Sequence, residues 1–220
     1  MTPRRGLALL ALTAVLVTPG ARALSAAGPT REEALRALAD ARDVDNRRRG
    51  AMALAETGVM TDVPKLAAAL RDDDPLVRKL AERAMWEVWS RSGDTAVDRL
   101  LAAGIEQMDA REGELAVQTF TEVIRRRPDF AEGWNKRATV HYLMGEYQKS
   151  LADCDEVLKR NPYHFGALSG YGMIYLQLDQ PAKALDYFQR ALKVNPNLDS
   201  INQTVEMLKP LLIQRRKDTI

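Results

Sequence analysis

The sequence AEGWNKRATVHYLMGEYQKSLADCDEVLKRNPYH at residues 131–164 is followed at residues 165–198 by FGALSGYGMIYLQLDQPAKALDYFQRALKVNPNL. Both segments are 34 residues long and share their spacing, with these pairs in register: Trp134 and Leu168, Ala138 and Gly172, Gly145 and Asp179, Pro162 and Pro196. A fixed period of this length is typical of stacked helix-turn-helix repeats. The two segments therefore predict an all-α repeat structure.

A third unit precedes these two at residues 97–130, because Ala116 and Phe120 stand in register with Ala184 and Phe188. The last unit resembles the tetratricopeptide repeat. It carries the signature residues of that family: Leu168, Gly172, Tyr175, Ala184, Phe188, Ala191 and Pro196. The resemblance implies helix pairs in which small residues allow close approach and aromatic rings fill the gap.

The second unit departs from this pattern at three positions. His141, Ser150 and Cys154 stand where the family has a tyrosine, an alanine and an aromatic residue. We interpret His141 and Cys154 as packing variants that leave the repeat intact.

A fainter period of about 30 residues lies upstream, in residues 30–93. It repeats four positions, as follows: Asp43 and Asp73, Arg48 and Arg78, Ala51 and Ala81, Leu54 and Ala84. This segment resembles a HEAT repeat pair, which implies an Asp–Arg ladder between successive repeats. We expect Trp86 and Trp89 to seal its junction with the first tetratricopeptide unit.

The complete prediction is a right-handed α-solenoid. A HEAT-like pair would run into three tetratricopeptide units, and residues 199–220 would form a capping helix with a polar tail. Such a cap would shield the last repeat face from solvent.

The first 23 residues read as a secretory signal peptide. Arg4 and Arg5 precede an apolar run of 11 residues at 7–17, which is too short for a bilayer span of roughly 20 residues. We expect residues 24–29 to be a linker and the mature chain to be periplasmic or secreted, with Sec export favoured over the twin-arginine route and no membrane span remaining.

Overall composition is that of an ordinary helical protein, with 46% hydrophobic and 28% charged residues among 220. Removing the leader takes away Arg4, Arg5 and Arg22 but no acidic residue, so the formal net charge falls from +2 to −1. A nucleic-acid partner is not expected, since such a protein needs a basic face.

No constellation in the sequence predicts catalysis, a metal site or a cofactor. His141, His164 and Cys154 have no ligand or general base at a suitable spacing, so we expect all three to be packing residues. Asp72, Asp73 and Asp74 lack the alternating ligands of a calcium loop and are explained by helix capping.

The first helices of the units would line a concave groove. The family's groove positions fall on these residues: Leu101, Ile105, Met108, Asn135, Thr139, Tyr142, Ser169, Met173, Leu176 and Gln177. In chaperone-binding members, cationic and amide side chains there clamp a terminal carboxylate, but Leu101 and Ile105 occupy the first such positions here. The resemblance therefore implies a groove without that clamp, suited to an apolar or amphipathic peptide or helix.

The function expected from these patterns is that of a non-catalytic protein-protein interaction adaptor in the cell envelope. Two alternatives stay open. The chain could be a structural subunit of an envelope assembly or homo-oligomer, or a small enzyme or ligand carrier using His141, Tyr142 or His164. Some groove residues could also pack only against neighbouring repeats or the C-terminal helix. No motif identifies the partner or sets the oligomeric state.

Overall fold

The computed structural model describes residues 28–218, so the predicted leader at 1–23 lies outside the described residues. The N-terminal part contains four α-helices and a 3-10 turn: α1 Arg31–Leu38, α2 Val44–Thr57, the turn Met60–Asp62, α3 Val63–Ala69 and α4 Pro75–Trp89. The repeat part contains seven: α5 Thr95–Asp109, α6 Gly113–Arg126, α7 Ala131–Leu143, α8 Tyr147–Arg160, α9 Phe165–Gln177, α10 Pro181–Val194 and α11 Asp199–Asp218. The expectation of an all-α repeat solenoid is confirmed.

Polar caps start the N-terminal helices. The Thr30 hydroxyl accepts a hydrogen bond from the backbone N–H of Glu33, whose carboxylate accepts one from the Thr30 N–H, so that the two residues form a capping box. Asp74 caps α4 by accepting from the Val77 N–H at 2.9 Å, and Pro75 occupies the first turn, where it sacrifices no hydrogen bond. Capping therefore accounts for Asp74 in the acidic run.

Close contacts between a glycine and an aromatic ring hold two of the repeat pairs together. A Cβ added at Gly104 would lie 2.5 Å from the ring of Phe120, and one added at Gly172 would lie 2.3 Å from the ring of Phe188. No side chain larger than hydrogen fits at either position without displacing the ring. The spacing of small and aromatic residues in the sequence therefore reports direct contacts between α5 and α6 and between α9 and α10.

The turn inside each repeat adopts the same left-handed backbone conformation. Its φ is 63° at Arg111, 76° at Gly145 and 51° at Asp179, three residues that are 34 positions apart. Glycine takes this conformation freely, whereas a side chain disfavours it. The three units thus repeat their backbone even where their sequences differ.

Between the two N-terminal copies, arginine–aspartate pairs connect α2 to the loop before α4. Arg47 binds Asp72 at 2.7 Å and Arg48 binds Asp74 at 2.6 Å. Arg78 instead donates to the backbone carbonyls of Asp72 and Asp73. The side-chain pairing is thus not the ladder through Asp73 that the HEAT resemblance implies, and the HEAT assignment stays a prediction.

The N-terminal helices fold back onto the repeats. Trp86 and Trp89 pack against Phe165, with ring centroids 5.3 Å and 5.1 Å away, and both rings also contact His164. The prediction that these tryptophans seal the junction with the first unit is therefore wrong. They cover the boundary between the second and third units, because the apolar ring of Phe165 lies there, at the start of α9.

Hydrogen bonds fix the same docking further along the chain. Arg71 donates to the backbone carbonyls of Lys193 and Val194, and Asn197 donates through Nδ2 to the Leu70 carbonyl at 2.8 Å. These bonds use carbonyls at the ends of α3 and α10, which have no partner within their own helices. The end of α3 is thereby joined to the end of the third unit.

At the C-terminal end, α11 packs its apolar side on α10. Val205 and Leu208 form one buried cluster with Ala184 and Phe188.

Across residues 28–218, no helix has both the length and the apolar character needed to cross a membrane.

Candidate partner-binding groove

Of the three groove residues predicted on α5, only Met108 is among those that line a surface cavity of about 680 Å³, together with Val140 and Met144. Leu101 is 4% exposed and packs in the core of the first unit with Phe120, and Ile105 and Met108 pack against the same cluster. The assignment of Leu101 to the groove is therefore wrong. The equivalent residues of the other two units are polar, Asn135 and Ser169, and Asn135 is buried as well.

The C-terminal helix covers part of the predicted surface on α9. Leu176 packs against the cluster of Phe188, Val205 and Leu208, so it supports α11 as well as α9. Gln177 is exposed, and Ser169 donates its hydroxyl to the Phe165 carbonyl at 2.8 Å. These residues border the groove without forming a pocket.

Four of the predicted residues come together around one cavity. Asn135, Thr139 and Tyr142 on α7 and Met173 on α9 line a cavity of about 130 Å³. Its remaining walls are formed by Ala138, Ser150, Cys154, Gly166, Ala167, Gly170 and Ile174. Met173 is 39% exposed and Tyr142 is half-buried, so the cavity opens to the surface between α7 and α9.

Three of the polar side chains around this cavity donate hydrogen bonds within the protein, and the Tyr142 hydroxyl is a further polar group of its lining. Thr139 donates its hydroxyl to the Asn135 carbonyl at 2.9 Å, and Ser150 donates to the Ala138 carbonyl at 2.7 Å. The Asn135 amide donates to the carboxylate of Glu132. The surface that remains for a ligand is consequently mostly apolar.

Cys154 is a buried residue in the wall of the cavity, and its thiol is less acidic than usual. Burial, together with the neighbouring carboxylates of Asp153 and Asp155, raises the pKa of its thiol to about 12. The thiol is therefore neutral at physiological pH and contributes to the wall as a small apolar group. This agrees with the expectation of a packing role.

A buried ionic cluster lies where α7 meets the start of α9. Glu132 and His164 are both fully buried, with Nε2 of His164 3.0 Å from Oε2 of Glu132 and the Lys136 ammonium 3.1 Å from Oε1. Nδ1 of His164 accepts from the Ala167 N–H, so Nε2 carries the proton that is donated to Glu132. Burial alone would raise the pKa of Glu132, but the hydrogen bond from His164 and the charge of Lys136 hold it below its usual value.

His141 has a separate set of partners. Its Nδ1 lies 2.6 Å from Glu146, and its Nε2 lies 3.9 Å from Asp153, whose carboxylate also binds Arg137. Both histidines are buried and neither lines the cavity. Among residues 28–218, no group of three or more His, Cys, Asp and Glu residues is arranged to hold a metal ion.

Sequence reasoning missed Gly166, Gly170 and Cys154 as cavity residues. The signal that could have found them is the missing ring at position 154, since the other two units carry Phe120 and Phe188 there. A small residue in place of a core aromatic leaves space unless a neighbour fills it. Glycine on the adjacent helix α9 does not fill it.

Comparison with known proteins agrees with this architecture. Residues 129–197 match the family model for the tetratricopeptide repeat. A TPR repeat-containing protein of Rhizobium etli is 33% identical over 128 residues, which cover 58% of this chain and 63% of that protein. Anaphase-promoting complex subunit 3 of Schizosaccharomyces pombe is 31% identical over 87 residues, covering 40% of this chain and 13% of that protein.

Solved structures share the fold at low sequence identity. The Sgt2 TPR domain of Aspergillus fumigatus aligns with a TM-score of 0.53 at 17% identity, covering 56% of this chain and 83% of that one. The first TPR of Spaghetti, bound to an HSP90 peptide, aligns with a TM-score of 0.51 at 17% identity, covering 53% and 93%. The chain spans less than two thirds of the length of the curated relatives named above, and the match to the tetratricopeptide-repeat family model extends over residues 129–197.

Proposed function

We propose that this chain is a non-catalytic adaptor that binds an apolar or amphipathic peptide or helix of a protein partner between α7 and α9. The observation that carries the proposal is the convergence of Asn135, Thr139, Tyr142 and Met173 on one open cavity. Tetratricopeptide repeats are protein-protein interaction modules, and the Spaghetti repeat is bound to a peptide. We infer the mode of binding, a peptide held by a repeat surface, from the fold, and we infer the position of the binding site from the cavity.

The chemistry of the groove favours an apolar ligand. Leu101 is buried and Ile105 packs beside it, so α5 presents no cation where chaperone-binding repeats clamp a carboxylate. The hydroxyls of Thr139 and Ser169 donate hydrogen bonds to backbone carbonyls of their own helices. Burial of an apolar side chain in this groove would stabilise the complex. A charged side chain would lose its hydration without gaining a hydrogen-bond or ion-pair partner.

We also propose that the chain acts in the cell envelope after removal of residues 1–23. Support comes from the arginine pair, the apolar run and the Ala21-Arg22-Ala23 site in the sequence. N-terminal sequencing of the protein recovered from a bacterial periplasm tests this, with a new N-terminus expected near Leu24. Recovery of the intact chain in the cytoplasm would contradict it.

Site-specific photocrosslinking tests the adaptor function directly. A photoreactive amino acid replaces Tyr142 at the cavity or, as a control, Met207, which is 66% exposed on α11. We expect a discrete crosslinked protein from position 142 in native envelopes and not from position 207. Met173→Asp should lower the crosslink yield at least tenfold, and Met207→Asp should leave it unchanged. Identical products from both positions, or none, would overturn the proposal.

A further inference from the structure

The second repeat lacks the aromatic ring that fills the other two. Phe120 and Phe188 pack so closely on Gly104 and Gly172 that a Cβ there would approach the rings to 2.5 Å and 2.3 Å. In the second unit the matching residues are Ala138 and Cys154. The alanine replaces only a hydrogen with a methyl group, while the cysteine removes an entire ring.

Part of the space left by the ring stays open. Tyr171 and Ile174 of α9 pack in one buried cluster with Ala138 and Cys154, and a cavity of about 130 Å³ remains beside Cys154. A Cβ added at Gly170, on the facing helix, would lie 3.9 Å from the Cys154 sulfur, which is an ordinary van der Waals contact, so Gly170 and Cys154 border the same space. An enclosed apolar cavity of about 150 Å³ binds benzene, so a volume of this order is enough for one aromatic ring.

We propose that this cavity is an anchor pocket that receives a single aromatic or branched aliphatic side chain from the peptide partner. The proposal rests on the proposed adaptor function and specifies its anchor residue. The anchor would enter past Tyr142 and Met173 and end against Ala138 and Cys154. It would restore, from another chain, the ring that the second repeat lacks.

The walls select against polar anchors. No charged side chain lines the cavity, and its Thr139 and Ser150 hydroxyls already donate to backbone carbonyls. A carboxylate or ammonium group would therefore lose its water without gaining a partner. The volume of the cavity is close to that of one phenyl ring, so we expect phenylalanine, leucine and isoleucine to fit best.

Toluene, the side-chain analogue of phenylalanine, is the probe that tests the pocket. The methyl resonance of Met173 in the mature protein, labelled with ¹³C at methionine, should shift saturably on titration with toluene. Cys154→Phe, which rebuilds the ring, and Gly170→Val, which fills the pocket from α9, should each weaken toluene binding at least tenfold. Ala152→Phe places the same ring on the exposed side of α8 and should leave binding unchanged.

The outcomes separate this inference from the adaptor function. Absence of saturable binding to the wild type, or equal binding to both filled variants, would overturn the anchor pocket whatever the crosslinking result. If toluene binds as expected but position 142 captures no partner, the pocket is supported and the adaptor function fails. Two filled variants are used, with circular dichroism to confirm folding, because Cys154→Phe could disturb the core while Gly170→Val acts from another helix.

Discussion

The indole of Trp89 lies flat against the imidazole of His164, with ring centroids 4.5 Å apart and planes 18° from parallel. One residue belongs to the N-terminal helices, and the other ends the second repeat. Trp89 is 2% exposed and also contacts Phe165. This stack is therefore a buried part of the interface between the two parts of the chain.

Trp89→Ala should lower the free energy of unfolding by about 3–5 kcal/mol, the range for removing a buried aromatic side chain. Trp134→Ala is the matched control, since Trp134 is half-buried beneath the guanidinium groups of Arg137 and Arg160 and should cost clearly less. Urea denaturation followed by circular dichroism measures both. Equal losses in the two variants would show that the stack does not hold the interface.

Glu132→Ala should lower the free energy of unfolding by about 3–5 kcal/mol, because it leaves His164 and Lys136 without their buried partner. Glu132→Gln keeps the shape and one acceptor oxygen but loses the negative charge, so we expect a smaller loss. The comparison is made by denaturant unfolding at pH 7. If alanine were tolerated better than glutamine, the cluster would not be stabilising.

Two glycines on α9 provide a matched pair for packing. Gly172→Ala should lower the free energy of unfolding by about 1–3 kcal/mol, since the new Cβ would meet the Phe188 ring at 2.3 Å. Gly170→Ala has 3.9 Å to its nearest neighbour and should raise stability by up to about 1 kcal/mol through helix propensity. Thermal unfolding of the two variants distinguishes them by sign. A similar Tm for both would contradict the close approach of α9 and α10.

The ionisation of Asp74 should make the free energy of unfolding depend on pH in the acidic range. The hydrogen bond from Arg48 holds the pKa of Asp74 at about 2, below the usual value near 3.9. Because the folded state binds the proton less readily than the unfolded state, this stabilisation is present above about pH 4 and is lost as the pH falls toward 2. The difference in unfolding free energy between wild type and Asp74→Asn should therefore shrink across that window. The exposed Asp73→Asn is the control, and an unchanged difference at pH 2 and pH 6 would refute the pairing.

Local patterns in the sequence predicted the repeats well, because the residues that set them are in contact. Gly172 and Phe188 lie 16 positions apart within one helix pair, and their spacing reports the contact itself. The capping box at Thr30 and Glu33 is likewise complete within four residues. Such signals depend on neighbours in the chain and survive without knowledge of the rest of the fold.

Long-range packing could not be predicted in the same way. Nothing near Trp89 indicates that its partner is His164, 75 positions later, because the contact depends on the turn made by the whole repeat array. Four of the eleven residues that line the cavity, Asn135, Thr139, Tyr142 and Met173, follow from the groove positions of the family. Cys154 also lines it, and the sequence marks Cys154 only as a departure from the family pattern.

The hydrogen bond from Asn197 to the Leu70 carbonyl joins residues that are 127 positions apart. In an ordinary solenoid each repeat contacts only its neighbours, so folding can start anywhere and the ends fray independently. Here the N-terminal helices contact the third repeat, which raises the contact order of the chain, so we expect it to fold more slowly than such a solenoid. In return, the third repeat loses the freedom of a terminal unit, and its amides should resist hydrogen exchange as strongly as those at the centre of the array.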